Sequence, residues 1–427
     1  MSDQFKETLS RIKSHRLPGM DLGEDFIYPN YGSRSILNLP ASICNWFGAP
    51  QLGAPALDPQ IINSLGSEYQ NVVLILIDAL SLQVFTKLHN AGLLPVWEAL
   101  IREGVFSPLT SITPSTTASA LTSLWTGSSP CEHGIIGYEM WLKEYGMVVN
   151  SILHSPMSFQ GAPGSLEKAG FHPETFIATH FLGSHLSNQG VQAYAYQHHS
   201  LARSGLSRML LRDVNSQPFH TQSDLWVNAR HLMEENPGQR KYMWIYWGEV
   251  DYMSHNYGPD DERVADEFCR FSATMDASFL SKLSLSARKN TLLVLTADHG
   301  QIKTKPDSHF DLRNHPSLVR RLHIMPTGEN RLASLYIRPG QIEAVREYID
   351  RTWPGQFILI DRSFAIECDL FGPGTRHPHL DDRLGDLILI SRGRSYLWWS
   401  PKEDHLLGRH GGMSADEMLV PFIAAEL

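Results

Sequence analysis

The side chains of this 427-residue chain that can do chemistry come in short clusters. Asp78 follows an apolar run, Asp251 and His255 lie four residues apart, and Asp298 and His299 are adjacent and precede Gly300. Singly, each has an ordinary structural reading, because an Asp after a strand is most often a turn former or a helix cap. Together they suggest more. On a helix, a four-residue spacing puts Asp251 and His255 on one face, where they can share a cation. Carboxylates gathered in one buried place repel one another and need cations to stay ionised there. A mixed oxygen and nitrogen donor set favours zinc or manganese over calcium, and over magnesium, which prefers oxygen and water.

A second kind of chemistry lies in residues 113–127, TPSTTASALTSLWTG, which are dense in hydroxyls. The spacing of Ala, Leu and Trp along them predicts a helix starting near Thr116 or Thr117. A hydroxyl at a helix start is ordinarily a cap. The same free N–H groups and dipole also suit a phosphate. A threonine hydroxyl beside a divalent cation can lose its proton at neutral pH and attack phosphorus. The residue types alone leave Ser115, Thr116, Thr117 and Ser119 as open alternatives.

The elements that must position these groups are legible as runs. NVVLILI (71–77) and TLLVLTA (291–297) read as strands buried on both faces of a parallel sheet, and YMWIYW (242–247) gives another strand signal. Helical patterns are expected at 80–89, 96–103 and about 262–285. Alternating strands and helices imply an α/β fold, a doubly wound and mostly parallel sheet flanked by helices. In such a sheet ligands bind beyond the carboxyl ends of the strands, where Asp78, Asp251 and Asp298 would gather. Residues 301–404 read as a small α+β insertion, through LASLYIR, a helix at 341–352, QFILI, DLILIS and SYLWW. The catalytic core then comprises 1–300 and 405–427. Residues 1–70 read as a loop-rich wrap, and about 150–230 as an irregular stretch able to supply a lid.

Composition narrows the function classes. A net charge of −9 argues against a nucleic-acid polymer as partner, which calls for a basic stripe. It leaves a small anionic substrate open, since bound cations can make one cleft positive. The polar N-terminus has no apolar leader-like stretch, and the apolar run at 72–77 is far too short to span a bilayer. Cys44, Cys131, Cys269 and Cys368 are scattered without a CxxC pair, so reduced thiols and a cytoplasmic setting are expected.

Five motifs, in this order and spacing, resemble the alkaline phosphatase superfamily, and most of all its type I phosphodiesterase/nucleotide pyrophosphatase branch. They are LILIDAL around Asp78, PSTTASALTSLWTGSSPCEHGIIGY, WGEVDYMSHNYGP, TADHG and RHGGMSADEMLVP. The resemblance implies an alkaline phosphatase-like fold, two divalent metal ions, and a nucleophile nine residues before the Thr of a Thr-Gly pair. Here that pair is Thr126-Gly127, which points to Thr117. The resemblance also implies one cation held by Asp78, Asp298 and His299 with Thr117, and another held by Asp251, His255 and His410. One departure stands out. The branch carries an Asn shortly after its HGI motif, where it meets a phosphate oxygen, and this chain has Tyr138, whose hydroxyl can donate a comparable bond. His133 of that motif is expected to be structural.

The implied reaction is hydrolysis of a small phosphate ester, foremost a phosphodiester or nucleotide pyrophosphate, through a covalent phospho-threonine. Phosphomonoester or phosphonate hydrolysis on the same site is the alternative, with Arg203, Arg208 and Arg212 as the candidate extra charge that a dianion needs. More remote are a phosphoglycerate mutase-like isomerase and a catalytically inactive binding module.

Overall fold

The run at 71–77 forms strand β1 (Asn71–Ile77), every residue of it buried. This follows from a computed structural model that describes residues 2–158 and 162–427. Around β1 grows a seven-stranded sheet with β2 (Val105–Thr110), β6 (Val191–His198), β7 (Val214–Phe219), β8 (Arg240–Trp247), β9 (Thr291–Thr296) and β16 (Leu419–Glu426). The strand order is β2-β16-β9-β1-β8-β6-β7. β1 pairs in parallel with β8 and β9, and β6 in parallel with β8 and β7. Only β16 runs against its neighbours β2 and β9. The sheet is therefore mostly parallel, and helices flank it as expected. Among them are α2 (Leu82–Asn90), α3 (Pro95–Glu103), α4 (Thr117–Thr126), α5 (Glu249–Tyr257) and α6 (Glu262–Ser278).

A second seven-stranded sheet has the order β13-β14-β12-β11-β3-β4-β5. Four of its strands are β11 (Thr327–Glu329), β12 (Leu332–Leu335), β13 (Phe357–Asp361) and β14 (Leu387–Ser391). The other three are β3 (Glu139–Leu142), β4 (Met147–Asn150) and β5 (Ser155–Pro156). The sheet thus joins residues from 301–404 to a stretch just after the HGI motif. A short ladder of β10 (Ile302–Lys303) with β15 (Gly408–Arg409) closes the two ends of 301–404 against each other.

Local expectations differ from the structure in four places. The first 70 residues are less loop-like than expected. They include α1 (Asp3–Ser14), capped by Ser2 and burying Phe5, Thr8 and Ile12, a short amphipathic stripe. The helix expected over 262–285 ends at Ser278. SYLWW (395–399) forms no strand, only one bridge from Asp311 to Trp398. The stretch 150–230 is not all lid, since β6 and β7 lie within it. β7 is an edge strand with three polar residues in a row, Asn215 to Gln217, and then Pro218, which an edge tolerates and which hides it from an apolar pattern. Residues 159–161 of that stretch lie outside the described residues. Among the described residues, no helix is long and apolar enough to cross a membrane, and all four cysteines are free.

Candidate metal centre and nucleophile

The parallel strands deliver their chemistry to one edge. Asp78 is the residue after β1, Asp298 and His299 follow β9 closely, and α5 starts just beyond β8 with Asp251 and His255 on it. β16 runs the other way, so its beginning lies at that same edge. The segment leading into it carries His410. Ser115 ties this segment to the start of α4: its carbonyl accepts from Gly411 N–H at 3.0 Å, and its Oγ donates to Gly412 O at 2.7 Å.

The seven residues expected as ligands or nucleophile come together. His299 Nε2 lies 3.2 Å from Thr117 Oγ1, 3.5 Å from Asp78 Oδ1 and 3.6 Å from Asp298 Oδ2. Thr117 Oγ1 is 3.5 Å from Asp78 Oδ2. Two three-residue groups have donor atoms all within 4.8 Å of one another, namely Asp78, Asp298 and His299, and Asp251, His299 and His410. His299 belongs to both. His255 stands beside the second, with its Nε2 3.4 Å from Asp251 Oδ1.

Three features make these residues fit a divalent cation. First, each imidazole is tied through Nδ1 to a backbone carbonyl. His299 meets Gly300 O at 3.1 Å, His255 meets Gly408 O at 2.9 Å and His410 meets Ser115 O at 3.1 Å. A carbonyl accepts, so Nδ1 holds the proton and Nε2 is left with a lone pair for a ligand. Second, Asp78 Oδ1 and Asp298 Oδ2 are buried without a hydrogen-bond partner, an arrangement costly unless something positive occupies the space. Third, burial pushes the Asp78 carboxyl well above the usual range, with Asp298 and Asp251 adding repulsion. Burial raises Asp298 as well, and holds His410 well below the usual imidazole range beside His299 and His255. A cation removes the penalty on the carboxylates and uses the neutral imidazoles.

Sequence reasoning missed several neighbours. Tyr246 at the end of β8 donates its hydroxyl to Asp78 Oδ2, and Gln301 donates to the Asp251 carboxylate. Glu329, the last residue of β11, accepts from Thr116 Oγ1 at 2.6 Å and from the Tyr138 N–H at 2.8 Å, both on Oε1. Burial pushes its carboxyl up to about 8. Tyr246 alternates with Ile245 and Trp247 in a strand and carried no separate signal. Glu329 comes from a distant segment that only tertiary pairing brings here.

The remaining expected residues are also located. Tyr138 is 38% exposed and adjoins the site through its N–H on Glu329. His133 is buried, its Nε2 3.1 Å from Ser123 Oγ and its Nδ1 accepting from Ile135 N–H at 3.0 Å, which is a structural role. Arg208 pairs with Glu167, and Arg212 donates to Pro173 O at 3.0 Å with its guanidinium 4.0 Å from the centre of the Phe181 ring. Both are committed to these partners. Arg203 is exposed.

The family model of type I phosphodiesterase / nucleotide pyrophosphatase matches residues 72–413. Among solved structures, murine ectonucleotide pyrophosphatase / phosphodiesterase 5, inactive and in complex with AMP, superposes with a TM-score of 0.62 at 17% identity, covering 83% of this chain and 87% of that one. The human ectonucleotide pyrophosphatase / phosphodiesterase 5 gives 0.60 at 14% identity, with 83% and 87% covered. Phosphonoacetate hydrolase from Sinorhizobium meliloti 1021, in complex with phosphonoacetate, gives 0.59 at 17% identity, with 82% and 89% covered. These likenesses establish the shared fold. No curated protein sequence matches this chain.

Proposed function

This chain belongs to the type I phosphodiesterase / nucleotide pyrophosphatase family, and from that premise we propose that it hydrolyses phosphodiesters or nucleotide pyrophosphates through a covalent phospho-threonine at Thr117. The observation that carries this reading is the Thr117 hydroxyl, 3.2 Å from His299 Nε2, facing two buried carboxylates with orphaned oxygens. Asp78, Asp298 and His299, with Thr117, would hold one divalent cation. Asp251, His255 and His410 would hold the other. Zinc fits the mixed donor set best, and manganese is the alternative. Bound there, such cations supply Lewis-acid charge neutralisation around phosphorus and lower the proton affinity of a neighbouring hydroxyl.

The residues themselves do the rest. Thr117 Oγ1 gives up its proton and attacks phosphorus in line with the leaving oxygen, and a phospho-threonine forms as the P–O bond to the leaving group breaks and the leaving oxygen takes up that proton. Water then attacks the same phosphorus, breaking its bond to Thr117 Oγ1 and giving one of its own protons to that oxygen. The N–H groups at the start of α4 meet the charge on the non-bridging oxygens, as does the Tyr138 hydroxyl. Burial of Thr117, Asp298 and His299 excludes bulk water from the attacking face. The commitment of Arg208 to Glu167 and of Arg212 to Pro173 leaves these two out of any extra dianion clamp, which supports a diester over a monoester. Retention of every expected ligand supports an enzyme over an inactive binding module. Residues 301–404, with the strands β3 to β5 that join their sheet, are the proposed selector of the leaving group.

The test is a substrate panel on protein loaded with zinc or manganese: nitrophenyl monoester, nitrophenyl diester, a nucleotide pyrophosphate and phosphonoacetate. Faster turnover of the diester or pyrophosphate is expected. Preference for the monoester or the phosphonate would replace the substrate assignment, and inactivity on all four would overturn it.

A further inference from the structure

α4 begins with an anomaly. Its N-cap residue is Thr116, a good capping type, in the extended conformation a cap adopts, yet its side chain makes no capping hydrogen bond. Instead, Thr116 Oγ1 donates to Glu329 Oε1 at 2.6 Å. The N–H groups of Thr117, Ala118 and Ser119 donate to nothing among the described residues, and a Thr116 cap would take up one of the last two. Ser119, in the same first turn, also carries a buried hydroxyl without a partner. An open helix start beside a nucleophile is an anion site, because its unpaired N–H groups and the positive end of the dipole point outward. A Thr116 hydroxyl free to rotate would close it.

Glu329 is built into its place. Gly137 and Gly328 approach so closely that a Cβ on Gly137 would lie 2.6 Å from Gly328 Cα. That contact sets the end of β11 beside Tyr138, whose N–H is the second donor to Oε1 at 2.8 Å. On the other side Gly411, next to His410, has φ +102° and packs so tightly that a Cβ there would lie 2.3 Å from Glu329 Cβ. Glu329 is 9% exposed, and its carboxyl is held between the nucleophile's helix, the loop after the HGI motif and the His410 segment.

We propose that Glu329 is a positioning residue that keeps the start of α4 open for the substrate's phosphate by holding the Thr116 hydroxyl away from it. The proposal rests on the function assigned above. Its working part is an acceptor atom, not a charge, so an amide oxygen serves equally. Without the acceptor, the Thr116 hydroxyl turns to cap α4 and competes with the phosphate for the same N–H groups.

The test is a double-mutant cycle on the metal-loaded protein, read as kcat and KM on the best substrate of the panel and as calorimetric affinity for inorganic phosphate. E329A is expected to lower kcat/KM and weaken phosphate binding by about five- to tenfold, the size of one capping interaction. In the T116V background, where no hydroxyl can compete, E329A should cost less than about twofold. E329Q should stay within about twofold of the parent, since its amide oxygen still accepts both bonds. If truncation unfolds the chain, E329L takes its place, removing the acceptor while filling the volume. Equal losses with and without T116V, or an E329Q as damaged as E329A, would overturn the proposal. Inactivity of the parent on every phosphate ester would instead sink the functional reading, and phosphate calorimetry would still report on the helix start.

Discussion

Thr117 is an ordinary residue type, and its proposed role as nucleophile rests on its surroundings alone. Its oxygen sits beside His299 Nε2 and Asp78 Oδ2, while the carbonyl contacts at Nδ1 hold His299, His255 and His410 in one tautomer each. A hydroxyl so placed has no substitute nearby. T117A should therefore retain its metal complement while kcat/KM falls by at least about a thousandfold. T117S, which keeps the oxygen, should recover measurable turnover. Steady-state rates with metal analysis of the same preparations check both. At this scale the sequence was informative wherever a polar residue interrupted an apolar strand ending, as Asp78 and Asp298 do. It was silent where the partner is remote in the chain. Tyr246, Gln301 and Glu329 touch the site through strand pairing and loop packing that no local pattern records.

Among the elements, the β16 segment shows how a site residue is held from a distance. Glu417 accepts from Gly412 N–H at 2.8 Å and is paired with Arg331, at 2.7 Å from Nε and 2.9 Å from Nη2, both side chains fully buried. This pair fastens the strip behind His410 to the second sheet. Breaking it leaves a buried, uncompensated carboxylate, so R331M should cost about 3–5 kcal/mol in denaturant unfolding and loosen the His410 side of the site. His154 sets a second element-scale expectation. It is 3% exposed at φ +51°, packed edge-on against Phe171 at 4.8 Å. Burial, with Arg208 nearby, pushes its imidazole down to about 4 from 6.5. The native state refuses a proton that the unfolded chain accepts. Stability is thus unaffected above 6.5, falls as the pH drops from 6.5 to about 4, and changes no further below that on this residue's account. Unfolding measured across that window should show a slope that H154N, whose side chain tolerates left-handed backbone, flattens by about 3 kcal/mol.

Elements were legible to the extent that burial is patterned along the chain. β1 and β9 are buried throughout and read directly as strands. β7 is an edge strand with polar residues at its centre, and the short α1 stripe is mixed with charged residues, so both fell into stretches read as irregular. SYLWW has strand composition, yet its residues Tyr396, Leu397 and Trp398 are buried by packing alongside Phe310 and Leu312 in the second core. Composition reports the burial there and not the backbone pairing.

For the molecule as a whole, two sheets of seven strands meet at the edge that carries the candidate site. The mostly parallel sheet gathers the acidic and imidazole groups, and the other brings Glu329 to them through β11. Burial raises the proton affinity of Asp78 and Asp298, and the neighbouring carboxylates add to it, Asp298 and Asp251 at Asp78 and Asp251 at Asp298. The folded state therefore carries buried like charges at this edge, which the proposed cations would relieve. Chelation should lower Tm by about 5 °C or more, and zinc or manganese should restore it. D298N should raise the Tm of the chelated protein and reduce the gain on adding metal, because one repelling charge and one ligand are removed together. Scanning calorimetry of the two proteins with and without cations checks this.

The central claim is a phosphoryl group carried on Thr117, and the most direct measurement is acid quenching during turnover of a nitrophenyl diester, followed by mass spectrometry of the peptide spanning residues 113–127. The substrate's phosphoryl half is expected on Thr117 in the parent protein and is expected to be absent from T117A. An adduct on Ser115, Thr116 or Ser119 instead, or rapid turnover that leaves residues 113–127 unmodified at every quench time, would contradict it.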